Sequence, residues 1–366
     1  MRPSPSTRPD RAEGPEPERR AARSRHAVGV WLLLVALAVL VQVVLGGVTR
    51  LTDSGLSITE WKLLLGVLPP LSHEAWLDAF HKYQQIPQFQ KLRPTMTLDE
   101  FQFIYFWEWL HRLWGRLVGF FFLVPLVVFW QKGRLGGLAR PLTFLFVLGG
   151  AQGLLGWIMV KSGLTELVYV SHLRLAAHFV LAVSLLAALV WYALPLVDWA
   201  HDERTPRGAP SAHSASTQLI TATKLLVALT FVQLVYGGFM AGLKAAMYAP
   251  TWPTINGSWF PSNVTSLLDL VSSPLGVHFV HRTLAYLLTV AVLVWFWQAR
   301  SALPRLRHAL LGLVLLQVLL GITATVGSYL PGHLLLYGAL HQLVGTVFAV
   351  VLVGALRLLG AAPRGA

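Results

Sequence analysis

Four histidines, His111, His178, His281 and His341, lie inside long apolar stretches of the chain, one on every second stretch and each near the same end. Histidine is costly in hydrocarbon, so an ionisable group at membrane depth is by default a hypothesis about function. A lone intramembrane imidazole is more often an interhelical hydrogen-bonding group than a ligand. Four at one address point instead to shared chemistry, and the chemistry imidazoles share is metal or haem ligation. Glu108 stands three residues before His111, on the same helix face. An acid there must be paired, neutral or functional; Arg112, one turn further on, is the partner if it is paired. His278 has the same offset from His281 and is an alternative ligand, whereas His172 and His333 lie at span ends and read as interfacial. Arg112, Arg116, Arg174 and Arg282 are candidates for pairing with acids or for gripping carboxylates, which suit the guanidinium fork.

The elements that must position these residues are membrane spans. The chain has 366 residues, 55% hydrophobic and 12% charged, with a mean hydropathy of +0.59. Soluble domains carry about 25% charged residues, so this composition belongs to an all-α polytopic membrane protein in contact with the lipid bilayer. The formal net charge of +13 forms no single stripe, which argues against a nucleic-acid partner and for membrane orientation. There is no cysteine, which excludes disulfides, thiolate metal sites and thiol catalysis.

Stretches of roughly 20 apolar residues cross a bilayer; eight are predicted, at 28–49, 102–130, 139–160, 171–196, 218–242, 275–299, 305–326 and 335–359. The tail 1–27 reads as a disordered cytoplasmic extension, 28–199 as a first four-helix half, 200–217 as a cytoplasmic linker and 218–360 as a second four-helix half. Arginine and lysine gather in the tail and in the 131–140 and 300–308 loops, so the positive-inside rule puts both termini in the cytoplasm of a bacterium, in its inner membrane. The loop 197–217 is neutral and does not add to this signal.

The halves echo each other. Gln42-Val-Val-Leu-Gly-Gly47 is matched by Gln233-Leu-Val-Tyr-Gly-Gly238, and His111-Arg112 by His281-Arg282; Gln152 and Gln317 precede His178 and His341 at similar distances. Four spans per half give a parallel repeat of two four-helix bundles. The histidines fall about 9–15 Å past the outer end of their spans, at 1.5 Å per residue. Two imidazoles on facing helices can ligate one haem iron from its two sides, so one haem site per half is the simplest reading. The long 50–101 loop, with Trp61, Leu64, Leu65, Trp76, Phe80 and Tyr83 among charges, predicts short amphipathic helices forming a cap over the first-half pocket.

The stretch Gly46-Gly-Val-Thr-Arg-Leu-Thr-Asp-Ser-Gly-Leu-Ser-Ile-Thr-Glu-Trp-Lys62 resembles the haem A synthase family, in its proteobacterial and mitochondrial type. So do Gly66-Val-Leu-Pro-Pro70, Phe106-Trp-Glu-Trp-Leu-His-Arg112, Arg174-Leu-Ala-Ala-His178, Ala241-Gly-Leu243, Thr251-Trp-Pro253, Phe279-Val-His-Arg282 and Leu340-His-Gln342, and the series covers the chain beyond its tail. The resemblance implies an oxidoreductase that oxidises a ring methyl of haem O, through an alcohol and a geminal diol, to the formyl group of haem A for terminal oxidase biogenesis. It implies a haem b cofactor with His281 and His341 as axial ligands, a substrate haem O beside His111 and His178, and Glu108 as the catalytic carboxylate. Haem O synthase and terminal oxidase assembly factors are the protein partners it suggests. The chain departs from the family pattern in lacking the paired outer-loop cysteines of some members, and in carrying Ala246, Pro250 and Asn256 where Gly, Asn and Asp are usual. Two other readings remain at this stage: a bis-histidine di-haem b electron carrier, which leaves Glu108 and the long first loop without a role, and a haem transporter.

Overall fold

The computed structural model describes residues 16–60, 65–165, 168–197 and 216–360. Its helices are α1 (Glu16–Leu51), α2 (His73–Gln84), α3 (Pro87–Leu92), α4 (Leu98–Gln131), α5 (Ala139–Thr165), α6 (His172–Ala193), α7 (Thr217–Gly242), α8 (Asp269–Ser272), α9 (Pro274–Gln298), α10 (Leu306–Val326) and α11 (His333–Gly360). Eight of them, all but α2, α3 and α8, are long and apolar enough to cross a membrane, as the hydropathy pattern predicts. Among the described residues there is no β-strand.

Local chemistry sets where the site-bearing helices start. Thr97 and Glu100 form a reciprocal capping box at the head of α4, Glu100 Oε2 accepting from the Thr97 amide at 2.8 Å. Ser273 caps α9 by accepting from the Gly276 amide at 3.0 Å, with Pro274 at the first helical position. α1 begins earlier than expected: 16–27 continues the first span as helix where a disordered tail was predicted. Its run of Arg and Ala, both strong helix formers, extends a helix already nucleated by the span. Residues 1–15 of that tail, and the linker up to residue 215, lie outside the described residues.

In the first half α1 packs on α4 and α6, and α5 on α4 and α6; in the second, α7 packs on α9 and α11, and α10 on α9 and α11. The halves meet through α1 and α6 against α7 and α11. These are the neighbours that two four-helix groups sharing a face would have. Half of the most apolar window of α11 is buried, against 6% for α5, so the shared face is the interior. α4, α5 and α9 turn Phe120, Phe121, Val124, Phe144, Val147, Leu287 and Val290 outward, the side chains a lipid-facing surface requires.

Each half is layered along its helices. Its closed apolar core lies at one end: Leu32, Leu142 and Leu189 in the first, Trp295, Leu310 and Leu352 in the second. The four histidines lie toward the other end, on the side of the 50–101 loop. That loop forms the expected amphipathic elements within its described part: Phe80 and Tyr83 of α2 are buried against Phe101 and Ile104 of α4, and Trp76 meets Tyr105 edge-on with ring centroids 5.0 Å apart. Burial pushes the Tyr83 hydroxyl up to about 12, so it stays protonated and donates a hydrogen bond to Gln88 Oε1 at 3.0 Å. Trp61 and Leu64 lie outside the described residues.

Candidate functional site

Each of the four histidines rests against the preceding span of its own half, on a glutamine and a glycine four residues later. Gln42 Nε2 lies 3.1 and 3.3 Å from the two ring nitrogens of His111 and donates to its backbone carbonyl at 3.1 Å. Gln233 does the same for His281, at 3.3, 3.4 and 3.1 Å. Gln152 Nε2 donates to the His178 carbonyl at 2.8 Å. Gln317 Nε2 lies 3.1 Å from His341 Nε2, and the Gln317 backbone carbonyl is 3.0 Å from His341 Nδ1. One turn along, a Cβ on Gly46, Gly156, Gly237 or Gly321 would lie 3.0, 3.1, 3.6 or 2.8 Å from Cε1 of the same imidazole. The glycines let the Cε1 edge of each ring come close to the neighbouring backbone.

This Gln-x-x-x-Gly cradle occurs on α1, α5, α7 and α10 and was missed as a fourfold pattern in the sequence, where only the glutamines and two glycine pairs stood out. The signal was present: Gln152-Gly-Leu-Leu-Gly156 and Gln317-Val-Leu-Leu-Gly321 have the spacing of Gln42 to Gly46.

The structure brings the histidines together in pairs. The His281 and His341 ring centroids are 6.3 Å apart, at 67°. His111 and His178 occupy the matching cradles of the first half. All four histidines are half-buried residues. Among the described residues no three His, Asp or Glu side chains cluster as a bare metal site. Donors in twos suit a haem iron, for which the porphyrin supplies the remaining equatorial ligands. A separate cavity of about 650 Å³ opens at the seam between the halves, lined by Tyr169, His172, Lys244 and Tyr248 and by none of the four cradled histidines.

Glu108 is buried, 2% exposed, and both its oxygens are bonded. Its Oε2 accepts from the Ser57 hydroxyl at 2.7 Å and the Ile58 amide at 2.8 Å, and its Oε1 pairs with Arg112 at 2.6 Å. Arg112 reaches on to the carbonyls of Ile58 and Glu60. The expected Glu108–Arg112 pairing is therefore present, and it fastens the loop that follows α1 to α4. The second half repeats the device with different chemistry. Arg282 Nε donates to His278 Nε2 at 2.9 Å, and its other nitrogens reach the carbonyls of Ala249, Thr251 and Thr254. His278 thus occupies the place of Glu108, and His281 rather than His278 faces His341. Asn256, at a departure from the family pattern, takes φ +50, a region asparagine tolerates, and ties the same loop by donating to the Tyr248 carbonyl at 2.9 Å.

The remaining candidates bond to the backbone. His172 Nε2 lies 3.0 Å from the Val271 carbonyl and His333 Nε2 2.9 Å from that of Thr323, as span-end groups do. Arg174 donates to the Ile158 carbonyl at 3.3 Å.

Fold and site together define a polytopic helical membrane protein with two repeated imidazole pairs, one of them, among the described residues, accompanied by a buried carboxylate. Over residues 29–355 the chain matches the COX15-CtaA family, described as cytochrome oxidase assembly proteins, and it belongs to that family. It is 46% identical to the heme A synthase of Rhodospirillum centenum over 293 residues, 79% of this chain and 75% of the relative. It is 44% identical to that of Parvibaculum lavamentivorans over 287 residues, 76% and 79% of the two chains. With that of Brucella suis the identity is 41% over 338 residues, 90% and 91% of the two.

Proposed function

We propose that this chain is an oxidoreductase converting haem O to haem A, the activity named for its relatives. The substrate site is the first half, with His111 and His178 beside the haem O iron. The second half holds a resident haem b between His281 and His341. The observation that carries this division is the exchange of Glu108 for His278: of two otherwise like cradles, one alone has a carboxylate three residues before its first ligand.

The residues fit a resident haem. Two imidazoles with centroids 6.3 Å apart are about as far apart as two Fe–N bonds of roughly 2 Å plus the ring radii require. Bound there, the group would supply one-electron redox chemistry. The protein's contribution is to fix the rings: the Gln317 carbonyl holds His341 Nδ1, and Gly321 admits the ring.

At the substrate site, haem O enters from the bilayer and its apolar tail stays in lipid. The ring methyl is oxidised to an alcohol and again to a geminal diol, each step taking one oxygen from water and releasing two protons and, to an acceptor outside this chain, two electrons; the diol then loses water to leave the aldehyde. Each oxidation draws electrons from one carbon and develops positive charge there. A carboxylate fixed in a low-dielectric pocket stabilises that charge without reorganising, or accepts the released protons. Three hydrogen-bond donors preorganise Glu108 for this. Both termini face the cytoplasm of the bacterial inner membrane, which puts the 50–101 loop outside. Haem O synthase and terminal oxidase assembly factors are the expected neighbours.

Glu108→Gln keeps the shape of the side chain and removes its charge. In cells supplied with haem O, the variant should carry haem without producing haem A, as read from pyridine haemochrome spectra and mass spectrometry of extracted haems. Normal haem A yield would remove Glu108 from the mechanism. Haem B alone in the unaltered protein would return the chain to the electron-carrier reading.

A further inference from the structure

The cavity of about 650 Å³ at the seam takes no part in the haem sites, yet its walls suit a ligand with an apolar body and an anionic head. Tyr169 and Val170 of the first half line it together with Leu243, Lys244, Met247 and Tyr248 of the second. Its polar groups are donors. An ammonium carries three N–H groups, and Lys244 uses them on Asp53 Oδ2 at 2.6 Å and on the Tyr169 hydroxyl at 3.2 Å, with one to spare. Tyr169 accepts that bond, which leaves its own O–H to donate. Ser171 and His172, at the head of α6, also line the cavity, and Ser171 makes no side-chain capping bond. The first-turn amides of α6 therefore keep their partial positive charge at this place. The surrounding charge is unbalanced in the same sense. One carboxylate, Asp53, faces Arg50, Lys244 and Arg93 at 2.9, 2.6 and 3.6 Å, and no other acid is ion-paired with them among the described residues. Arg50 lies over the Tyr169 ring, 5.5 Å from its centroid, and donates to the Gly242 carbonyl. Its Nε is buried without a hydrogen-bond partner among the described residues.

We propose that this cavity binds the phosphate headgroup of an anionic phospholipid, which bridges the two halves at the membrane surface. Basic pockets between transmembrane helices are a recurrent way of holding such headgroups. Two observations favour a lipid over a free phosphate. The remaining walls are apolar, with Val170, Leu243, Met247 and Pro274 among them. A hydrated phosphate gains nothing from that surface, whereas the glycerol and first acyl carbons of a lipid would cover it. The cavity also lies where headgroups lie, at the ends of the spans α6, α7 and α9 on the side of the 50–101 loop. Met247 and Tyr248 are exposed on its wall, side chains suited to a membrane–water interface. The phosphate oxygens accept from Lys244 and Tyr169 and offset the excess of cations; no covalent bond is made or broken. The imidazole pairs have no part in this binding, so it stands apart from the reading of the haem sites.

The full chain, purified in detergent, is offered phosphatidylglycerol and phosphatidylcholine with identical acyl chains in equal amounts, and retained lipid is counted by native mass spectrometry. Phosphatidylglycerol should be retained roughly tenfold over phosphatidylcholine, and its addition should raise the midpoint of thermal unfolding. Lys244→Met should abolish both effects. Because that change also disturbs the seam, a second variant keeps every bond of the cluster. Met247→Glu puts a carboxylate at a wall position that is 52% exposed. It should cut phosphatidylglycerol retention roughly fivefold by like-charge repulsion, whereas Met247→Gln, of the same length without the charge, should retain the lipid. Equal retention of the two lipids, or retention unchanged in Met247→Glu, would overturn the proposal. A midpoint raised as far by inorganic phosphate at the same concentration would overturn the lipid as occupant, since a free anion would then suffice.

Discussion

Gly237 and Gly321 stand at equivalent places beside the two imidazoles of one pair, yet they tolerate a methyl group very differently. A Cβ on Gly321 would lie 2.8 Å from His341 Cε1, closer than atoms pack, whereas one on Gly237 would lie 3.6 Å from His281 Cε1, an ordinary contact. Gly321→Ala must rotate or displace a ring fixed by the Gln317 carbonyl, and should lower second-half haem content or shift its reduced α band. Gly237→Ala should leave both within error of the unaltered protein. The same absorbance spectrum and haem-to-protein ratio check both, and equal effects would mean that the glycines do not set the rings. At this scale the sequence was legible for charge and not for shape. Four histidines in apolar runs declare themselves by their cost in hydrocarbon. A glycine in a membrane helix does not, because small residues there commonly serve helix packing.

Among the elements, α4 carries the densest chemistry, and its polar bonds explain why a charged pair survives inside a span. Glu108 and Arg112 are one turn apart, both nearly buried, and each also bonds the loop that follows α1. Removing one member of such a pair leaves the other uncompensated, at about 3–5 kcal/mol. Arg112→Gln should therefore cost far more than an exposed arginine would, seen as a lower midpoint of thermal unfolding in detergent and earlier proteolysis of the 50–101 loop. A change under about 1 kcal/mol would mean that the pair contributes no more than an exposed ion pair does. The spans themselves were readable from hydropathy, since each is a continuous apolar run of sufficient length. The correspondence of Glu108 and His278 was harder to read. An acid and an imidazole share no residue type, and what relates them is their common place three residues before a cradled histidine and four before an arginine.

For the molecule as a whole the question is what holds two bundles as one body, and residues far apart in the chain answer it. Gly238 and Gly242, four apart on α7, bring its backbone against Ala176 and His172 of α6; a Cβ on Gly238 would meet Ala176 Cα at 2.7 Å. Just beyond the helix ends, Asp53 binds Arg50 at 2.9 Å and Lys244 at 2.6 Å, with Arg93 at 3.6 Å. Lys244 also lies 4.4 Å from the Tyr169 ring centroid. Asp53 and Lys244 both hold left-handed backbone, φ +56 and +51, an uncommon state for side chains of their size. No local pattern could have paired two residues 191 positions apart. One carboxylate here offsets three cations from both halves, so Asp53→Asn leaves like charges facing one another in a partly buried seam. At an effective dielectric of about 20, each such pair a few ångströms apart repels by roughly 3 kcal/mol. The variant should unfold at a lower temperature, and adding Lys244→Met should restore part of the loss. The two changes must then be non-additive by more than about 0.5 kcal/mol, the scatter expected of independent sites. Additive effects would mean that Asp53 serves only its own loop, and that the halves are joined by the α6–α7 glycine contact and the packing of α1 on α11 alone.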